Sequence, residues 1–472
     1  MEEVAPDAAA DENTAHLNAL LDESDVRRIH WRIWILSAMG VFLDGFDFFV
    51  IAVALPLLDE LYKPAPWELG LLASSALVGA IVGALTIGRL TDLLGRRAVY
   101  VVDLGLFMVF TALTAISWDV WPLIVFRFGV GIAVGADYPI SAAFVSEVMP
   151  KRVRGRFLVG AFSFQAVGAV MGALTSWLIL LIWPDIQAWR IMFIVGVIPA
   201  AAIALARRGV PESPRWLLEQ GETEKAAAIV SLIVGKQVSV KKTRKLVKQP
   251  VIAAKLFTRK HRRKTILSAV PWFLQDISTY GIGLFTPIIL GAAGIAGAKA
   301  GAGGGHANFI NEAIAKAQDT VLVDLALIVG FVVAIIFIER LGRMRMQIGG
   351  FIMMAVGLIT LAISTYLTRG GAANLTLVFV GFIVFNFFMN FGPNSTTYVL
   401  PVELFPTKLR ATAHGFAAAV AKAGAVLGAW VFPIIDGRFG IAPTLYIVAG
   451  AALLAAIVTL AYRIEPKRAL ET

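Results

Sequence analysis

Charged side chains inside long apolar runs are the residues best placed to do chemistry in this chain. Asp44, Asp47, Arg127, Asp137, Asp276, Asp324 and Lys422 all lie in such runs. An ionised group costs about 2.5–3.5 kcal/mol at the centre of a membrane helix, so it faces a partner or a cavity and acts there. Trp272, Asp276 and Tyr280 recur every fourth residue, which puts an aromatic, a carboxyl and a phenol on one helix face. Lys422 sits too deep in its run to reach water along its own stem. As a buried cation it needs an internal acid or an anionic ligand. Asn394 follows Gly392 and Pro393, where a helix loses a backbone bond and can present an amide to a cavity. Gln165 falls near the middle of another run.

Asp44 and Asp47 stand three apart and are expected to share a face. Two carboxylates close together in a low dielectric do not readily both ionise, so one holds a proton. Asp137 follows a stretch of small residues that lets helices approach closely. Arg127 is expected to be a structural partner for a gate carboxylate, and Asp324 to be structural.

The elements that must position these groups are membrane spans. Of 472 residues, 58% are hydrophobic and 16% charged, and the mean hydropathy is +0.77; soluble domains carry about 25% charge. A bilayer core needs about 20 apolar residues per helix. Runs of that length predict an all-α membrane protein with spans near 32–58, 68–92, 98–117, 120–146, 156–182, 188–207, 265–292, 318–338, 344–367, 373–401, 411–434 and 440–462. The predicted organisation is an unstructured tail (1–30), a first six-helix bundle (31–207), a basic linker (208–264), a second bundle (265–462) and a short tail (463–472). The linker is expected to hold one or two short amphipathic helices, and 291–307 reads as a Gly/Ala-rich external loop.

Most of the 42 Lys and Arg residues fall in loops on one side of these spans, which predicts that both termini are cytoplasmic. The net charge of +10 is therefore a topological signal, not a nucleic-acid footprint. With no cysteine, thiolate metal sites and cysteine nucleophiles are excluded. The five histidines form no ligand-spaced pair, so neither a metal nor a cofactor is implied. No arranged nucleophile or base suggests an enzyme.

The two halves echo each other. Gly95-Arg96-Arg97 follows span two and Gly342-Arg343 follows span eight; Glu147 precedes Arg154 by the same seven residues that separate Glu403 from Arg410. Both copies lie on the same side, so the repeat is parallel. Carboxylates and guanidiniums at facing helix ends make charge-assisted contacts. Asp92, Arg96, Glu147 and Arg154, with Glu339, Arg343, Glu403 and Arg410, are the expected inner gate.

The stretches GRLTDLLGRR (88–97), RFGVGIAVGADYP (127–139), PESPRWLLE (211–219) and PVELFPTKLR (401–410) resemble the major facilitator superfamily. GADYPIS (135–141), AFSFQAVG (161–168), WFLQDISTYGIGLF (272–285), NFGPNSTTYVLPVELFPTKLRATAHG (390–415) and AKAGAVLGA (421–429) resemble more closely the phosphate:proton symporters of fungi and plants. That resemblance implies a phosphate site of Tyr138, Gln165, Trp272, Asp276, Tyr280, Asn394 and Lys422. It implies proton coupling through Asp44 or Asp47, Asp137 and Asp276. The implied activity is proton-driven phosphate uptake by a monomer in a plasma or bacterial inner membrane. DGFD (44–47) also resembles proton symporters of aromatic acids and metabolites, which leaves an organic acid as the first alternative. A phosphate sensor is an alternative of another class.

Overall fold

The computed structural model describes residues 8–239, 253–292, 306–367, 374–405 and 407–465. Its helices are α1 (Ala8–Glu23), α2 (Arg28–Tyr62), α3 (Pro66–Leu94), α4 (Arg96–Ala115), α5 (Val120–Val148), α6 (Arg154–Ile182), α7 (Ala188–Arg207), α8 (Pro214–Glu219) and α9 (Thr223–Val234). They continue as α10 (Arg262–Gly283), α11 (Thr286–Ala292), α12 (His306–Leu341), α13 (Arg343–Tyr366), α14 (Leu375–Met389), α15 (Ser395–Leu404), α16 (Thr407–Phe439) and α17 (Ile441–Ala461). A π-helical turn, Asn390–Asn394, joins α14 to α15.

Among the described residues, eleven helices are long and apolar enough to cross a membrane. The twelfth span is α10, 22 residues long. Its apolar character is diluted by Gln275, Asp276, Ser278, Thr279 and Tyr280, the same residues that make it chemically interesting. The predicted run 265–292 is broken at Leu284 and Phe285, so α11 forms a separate short helix.

Packing sorts the spans into two bundles with matching neighbours. In the first, α2 lies on α6, α3 on α5 and α4 on α7; in the second, α10 lies on α16, α12 on α14 and α13 on α17. The bundles meet along α3 with α16 and α6 with α12. Inside each bundle the backbones touch: a Cβ on Gly168 would strike the Phe42 carbonyl of α2, and one on Gly424 the Phe273 carbonyl of α10. Small residues at these crossings replace side-chain packing with close backbone approach. Large apolar side chains such as Val109, Ile198, Val329 and Ile457 point outward, a belt that needs lipid to cover it.

The sequence repeat is visible as geometry. Gly95 and Gly342 open α4 and α13 with φ of +87° and +83°, a region open chiefly to glycine. In each place the missing Cβ leaves room for a carboxylate, Glu212 beside Gly95 and Glu465 beside Gly342.

One expectation is corrected. The N-terminal tail, expected to be unstructured, forms α1, whose Leu17 and Leu21 are buried among residues of α5, α8 and α9. Its apolar residues fall at helical spacing, which offsets the polar composition. In the linker, α8 is capped by Ser213, whose side chain accepts from the Trp216 amide, and α9 follows directly. The Lys241–Lys245 run, the loop 293–305 and the tail beyond 465 lie outside the described residues.

Candidate functional site

Where the two bundles face each other, polar side chains form a chain across the gap. Gln165 of α6 donates through Nε2 to Asp44 Oδ2 of α2 (3.1 Å) and to the Tyr280 hydroxyl of α10 (3.3 Å). Lys422 of α16 donates to the same hydroxyl at 2.6 Å and lies 4.5 Å from the Tyr280 ring centre. Phe48 packs edge-on against Tyr280 at 5.2 Å. Asp44, Tyr280 and Lys422 are all buried, so each charge acts in a medium that screens weakly.

Asp276 belongs to the same chamber. It is 3% exposed, takes a hydrogen bond from the Trp272 side chain, and lies within electrostatic range of Lys422 and Asp44. Four-residue spacing on α10 therefore does align Trp272, Asp276 and Tyr280 as expected. Trp272 is buried against His414 (5.7 Å) and Tyr398 (6.2 Å).

Asn394 lies on the π-turn and lines a narrow cavity with Gly45, Gln165, Tyr280 and Asn390. Its amide is fixed from two sides: Nδ2 donates to Asn390 Oδ1 (2.7 Å), and Oδ1 accepts from Gln275 Nε2 (3.3 Å). Asn390 in turn donates to the Leu327 carbonyl of α12. The wide turn frees backbone groups, and Ser395 answers the Asn390 carbonyl at 2.5 Å. Thus Gln165, Trp272, Asp276, Tyr280, Asn394 and Lys422 are brought together, while the side chain of Tyr138 lies outside the described residues.

Asp44 and Asp47 do not face one another. A separation of three residues turns the second side chain about 60° away, and Arg127 of α5 captures it. The Arg127–Asp47 pair is bidentate on one nitrogen, at 2.6 and 2.7 Å, with both groups buried. Asp44 alone enters the chamber. Asp137 is held by Arg207 of α7 at 2.9 Å, away from Lys422. Asp324 stays within the second bundle, accepting from Asn386 Nδ2 at 3.4 Å.

The charged ends rearrange the expected gate. Arg343 binds Glu339 (2.9 Å) and Glu403 (2.6 Å), joining the ends of α12, α13 and α15. Arg154 turns to Asp22 of α1 and to the Met149 carbonyl, so it does not pair with Glu147. The Glu147 carboxylate accepts from Ser213 at 2.8 Å. The side chains of Asp92, Arg96 and Arg410 lie outside the described residues. Contact between the bundles at this end comes from Phe162 of α6 stacked on Tyr398 of α15, ring centres 4.2 Å apart. Gly155 of α6 also lies against the carboxylates of Glu339 and Glu403.

Sequence reading missed Tyr398, His414, Asn390 and Gln275, which support the chamber, and Asp103, Tyr100 and Arg207, which surround Asp137. Asp103 carried a signal, since it too is a carboxyl in an apolar run. Arg207 resembled an ordinary basic helix end.

Comparison with known proteins agrees with this architecture. The family model for sugar (and other) transporters matches residues 33–469. The chain is 30% identical to the "Probable inorganic phosphate transporter 1-6" of Arabidopsis thaliana, over 95% of this chain and 94% of that one. It is 32% identical to "Inorganic phosphate transporter 1-1" of Oryza sativa subsp. japonica, over 94% of each. Among solved structures, the xylose transporter XylE from E. coli, in a partially occluded inward-open conformation, superposes with a TM-score of 0.75. It is 21% identical and covers 94% of this chain and 100% of its own; at that identity the likeness speaks for the fold. With a family match over nearly its whole length, the chain belongs to the sugar (and other) transporter family.

Proposed function

We propose that this transporter carries inorganic phosphate together with protons by alternating access, across a membrane whose cytoplasmic side receives both termini and the Arg-rich loops. The observation that carries the reading is the chain Asp44–Gln165–Tyr280–Lys422 with Asp276 in the same chamber. The phosphate transporters among its relatives supply the substrate class.

Phosphate is an oxyanion, and this chamber offers it one ammonium and several neutral donors: the Tyr280 hydroxyl and the carboxamides of Gln165 and Asn394. Trp272 places its N–H beside Asp276. A carboxyl beside an anion is a liability only when ionised. Protonated, Asp276 donates a hydrogen bond; deprotonated, it repels. At an effective dielectric near 20, two unit charges 4 Å apart interact by about 4 kcal/mol, on the order of a thousandfold in affinity. Proton binding and phosphate binding are then linked locally, with no signal needed from a distance.

Phosphate and proton enter from outside, the bundles rock, and the Phe162–Tyr398 seam parts on the cytoplasmic side. Loss of the Asp276 proton to the cytoplasm then expels the anion. Asp44, within electrostatic range of Lys422, balances the ammonium's charge as phosphate leaves. A monomer as the functional unit is supported by the described chamber residues all belonging to one chain.

Phosphate uptake into proteoliposomes under an imposed pH gradient tests this directly. Asp276→Asn is expected to abolish proton-driven accumulation. A variant that still concentrated phosphate normally would overturn the coupling scheme. Competition by arsenate, with benzoate and glucose inert, separates phosphate from organic acids and sugars.

A further inference from the structure

Between the chamber and the cytoplasmic seam lies an imidazole with one nitrogen unused. His414 of α16 is 4% exposed and sits edge-on to two rings of its own bundle, Tyr398 of α15 at 5.1 Å and Trp272 of α10 at 5.7 Å. Its ring bonds to the Tyr398 backbone. Nε2 is enclosed and has no hydrogen-bond partner among the described residues, so that bond belongs to Nδ1. With the ring proton committed to Nδ1, the neutral imidazole presents a bare lone pair at Nε2. The neighbours do not fill it. The Trp272 side chain donates to Asp276 instead, and the adjoining Ala413 packs with Leu267 and Leu400 in an apolar cluster. One turn before Trp272, on the same face of α10, the Ser268 hydroxyl is also buried and without a partner.

A buried polar atom left without a partner is uncommon and costly. Here an acceptor and a hydroxyl are left over on two helices that pack together, and their place suggests what they wait for. Phe162, across the seam, belongs to the first bundle; Tyr398, His414 and Trp272 all belong to the second. When Phe162 parts from Tyr398, the other three rings stay together and form one wall of the opening beside Asp276. An anion leaving the chamber passes that wall. Phosphate near neutral pH keeps a P–OH, which can donate to Nε2, and bare oxygens, which can accept from Ser268. Sulfate has the same shape and no hydroxyl, so its oxygen would meet the nitrogen lone pair to lone pair.

We propose that His414 Nε2 accepts the hydroxyl of phosphate on the cytoplasmic way out, and that this contact selects protonated oxyanions, phosphate and arsenate, over sulfate. The inference rests on the phosphate reading above and deepens it. A buried group that pairs with a substrate hydroxyl rejects an analogue lacking it far more strongly than pocket shape alone does. No proton changes hands: the imidazole holds the hydroxyl, and the rings it faces, Trp272 and Tyr398, are neutral.

Monofluorophosphate is the sharpest probe, because it matches the phosphate dianion in charge but carries fluorine in place of the hydroxyl. Counterflow of labelled phosphate in proteoliposomes is expected to be inhibited strongly by arsenate, and at least about tenfold more weakly by fluorophosphate and sulfate. His414→Phe keeps a ring against Tyr398 and Trp272 and is expected to lose most of that preference. His414→Gln, whose carboxamide oxygen can accept, is expected to regain part of it. Melting curves show which variants fold, and His414→Met replaces the Phe variant if that one does not. A wild type that takes fluorophosphate as readily as phosphate overturns the proposal, as does an unchanged preference in a folded Phe or Met variant. In both cases phosphate is still carried and the transport reading stands. A wild type that carries neither phosphate nor arsenate defeats the transport reading, and this proposal with it.

Discussion

The two bundles share a fold but treat buried charge in opposite ways. In the first, Asp47 is matched to Arg127 and Asp137 to Arg207, guanidinium to carboxylate at 2.6 and 2.9 Å. In the second, the deep cation Lys422 donates to a phenol, and the stripe beside it carries Trp272, Asp276 and Tyr280. A guanidinium locked to a carboxylate is a finished contact, satisfied without a guest. An ammonium on a phenol keeps more of its charge to spend on an anion. The first bundle therefore reads as frame, the second as the wall that binds.

That contrast is easiest to break at Asp47. Asp47→Ala strands Arg127 without its carboxylate in a dry interior, and removing one partner of a buried pair costs about 3–5 kcal/mol. A lowered melting temperature measures the loss, and Arg127→Met in the same chain is expected to restore most of it. If Asp47→Ala melts like the parent, the pair is not the frame described here. Next in size is Lys422→Ala. Losing hydrogen bonds from a charged donor costs about 1.5–3 kcal/mol, which corresponds to phosphate binding weaker by roughly ten- to 150-fold. Titration calorimetry of the purified protein reads it, with little change in melting temperature. A collapse in stability with unchanged affinity would reverse the assignment of roles. The smallest effect belongs to the seam between the bundles. Phe162→Ala removes a stacked pair worth about 0.5–1.5 kcal/mol beyond its area. It is expected to raise the labelling rate of a cysteine placed beside Tyr398 several-fold; an unchanged rate would mean that the stack does not hold this end shut.

How much of this was legible beforehand varied with the kind of signal. Lys422 and Asp276 declared themselves because a charge in an apolar run has few places to go. The α10 stripe followed from four-residue spacing alone. Asp44 and Asp47 were visible as a pair, yet spacing along one helix says nothing about which neighbour waits on the next, and Arg127 decided the matter. Arg207 was concealed by its position at a helix end, where basic residues are ordinary. Tyr398, His414 and Asn390 carry no charge and break no pattern, so their importance appears only when the second bundle is folded against the first. The expected gate identified Arg343 with its two glutamates but not the turn of Arg154 toward α1, because α1 was read as tail. Leu17 and Leu21, four residues apart, were the clue.

The wide turn at Asn390–Asn394 has a mechanical consequence. An ordinary α-helix advances about 100° per residue, so the extra residue accommodated there sets the heading of everything after it. Asn394, Tyr398 and Glu403 all follow within ten residues of the turn's start or shortly beyond it, and each meets a different partner: Gln275, Phe162 and Arg343. Deleting a single residue from the turn would swing all three off target together. A widened loop of backbone thus acts as a phase setter, keeping chamber, seam and charged rim in step along one span.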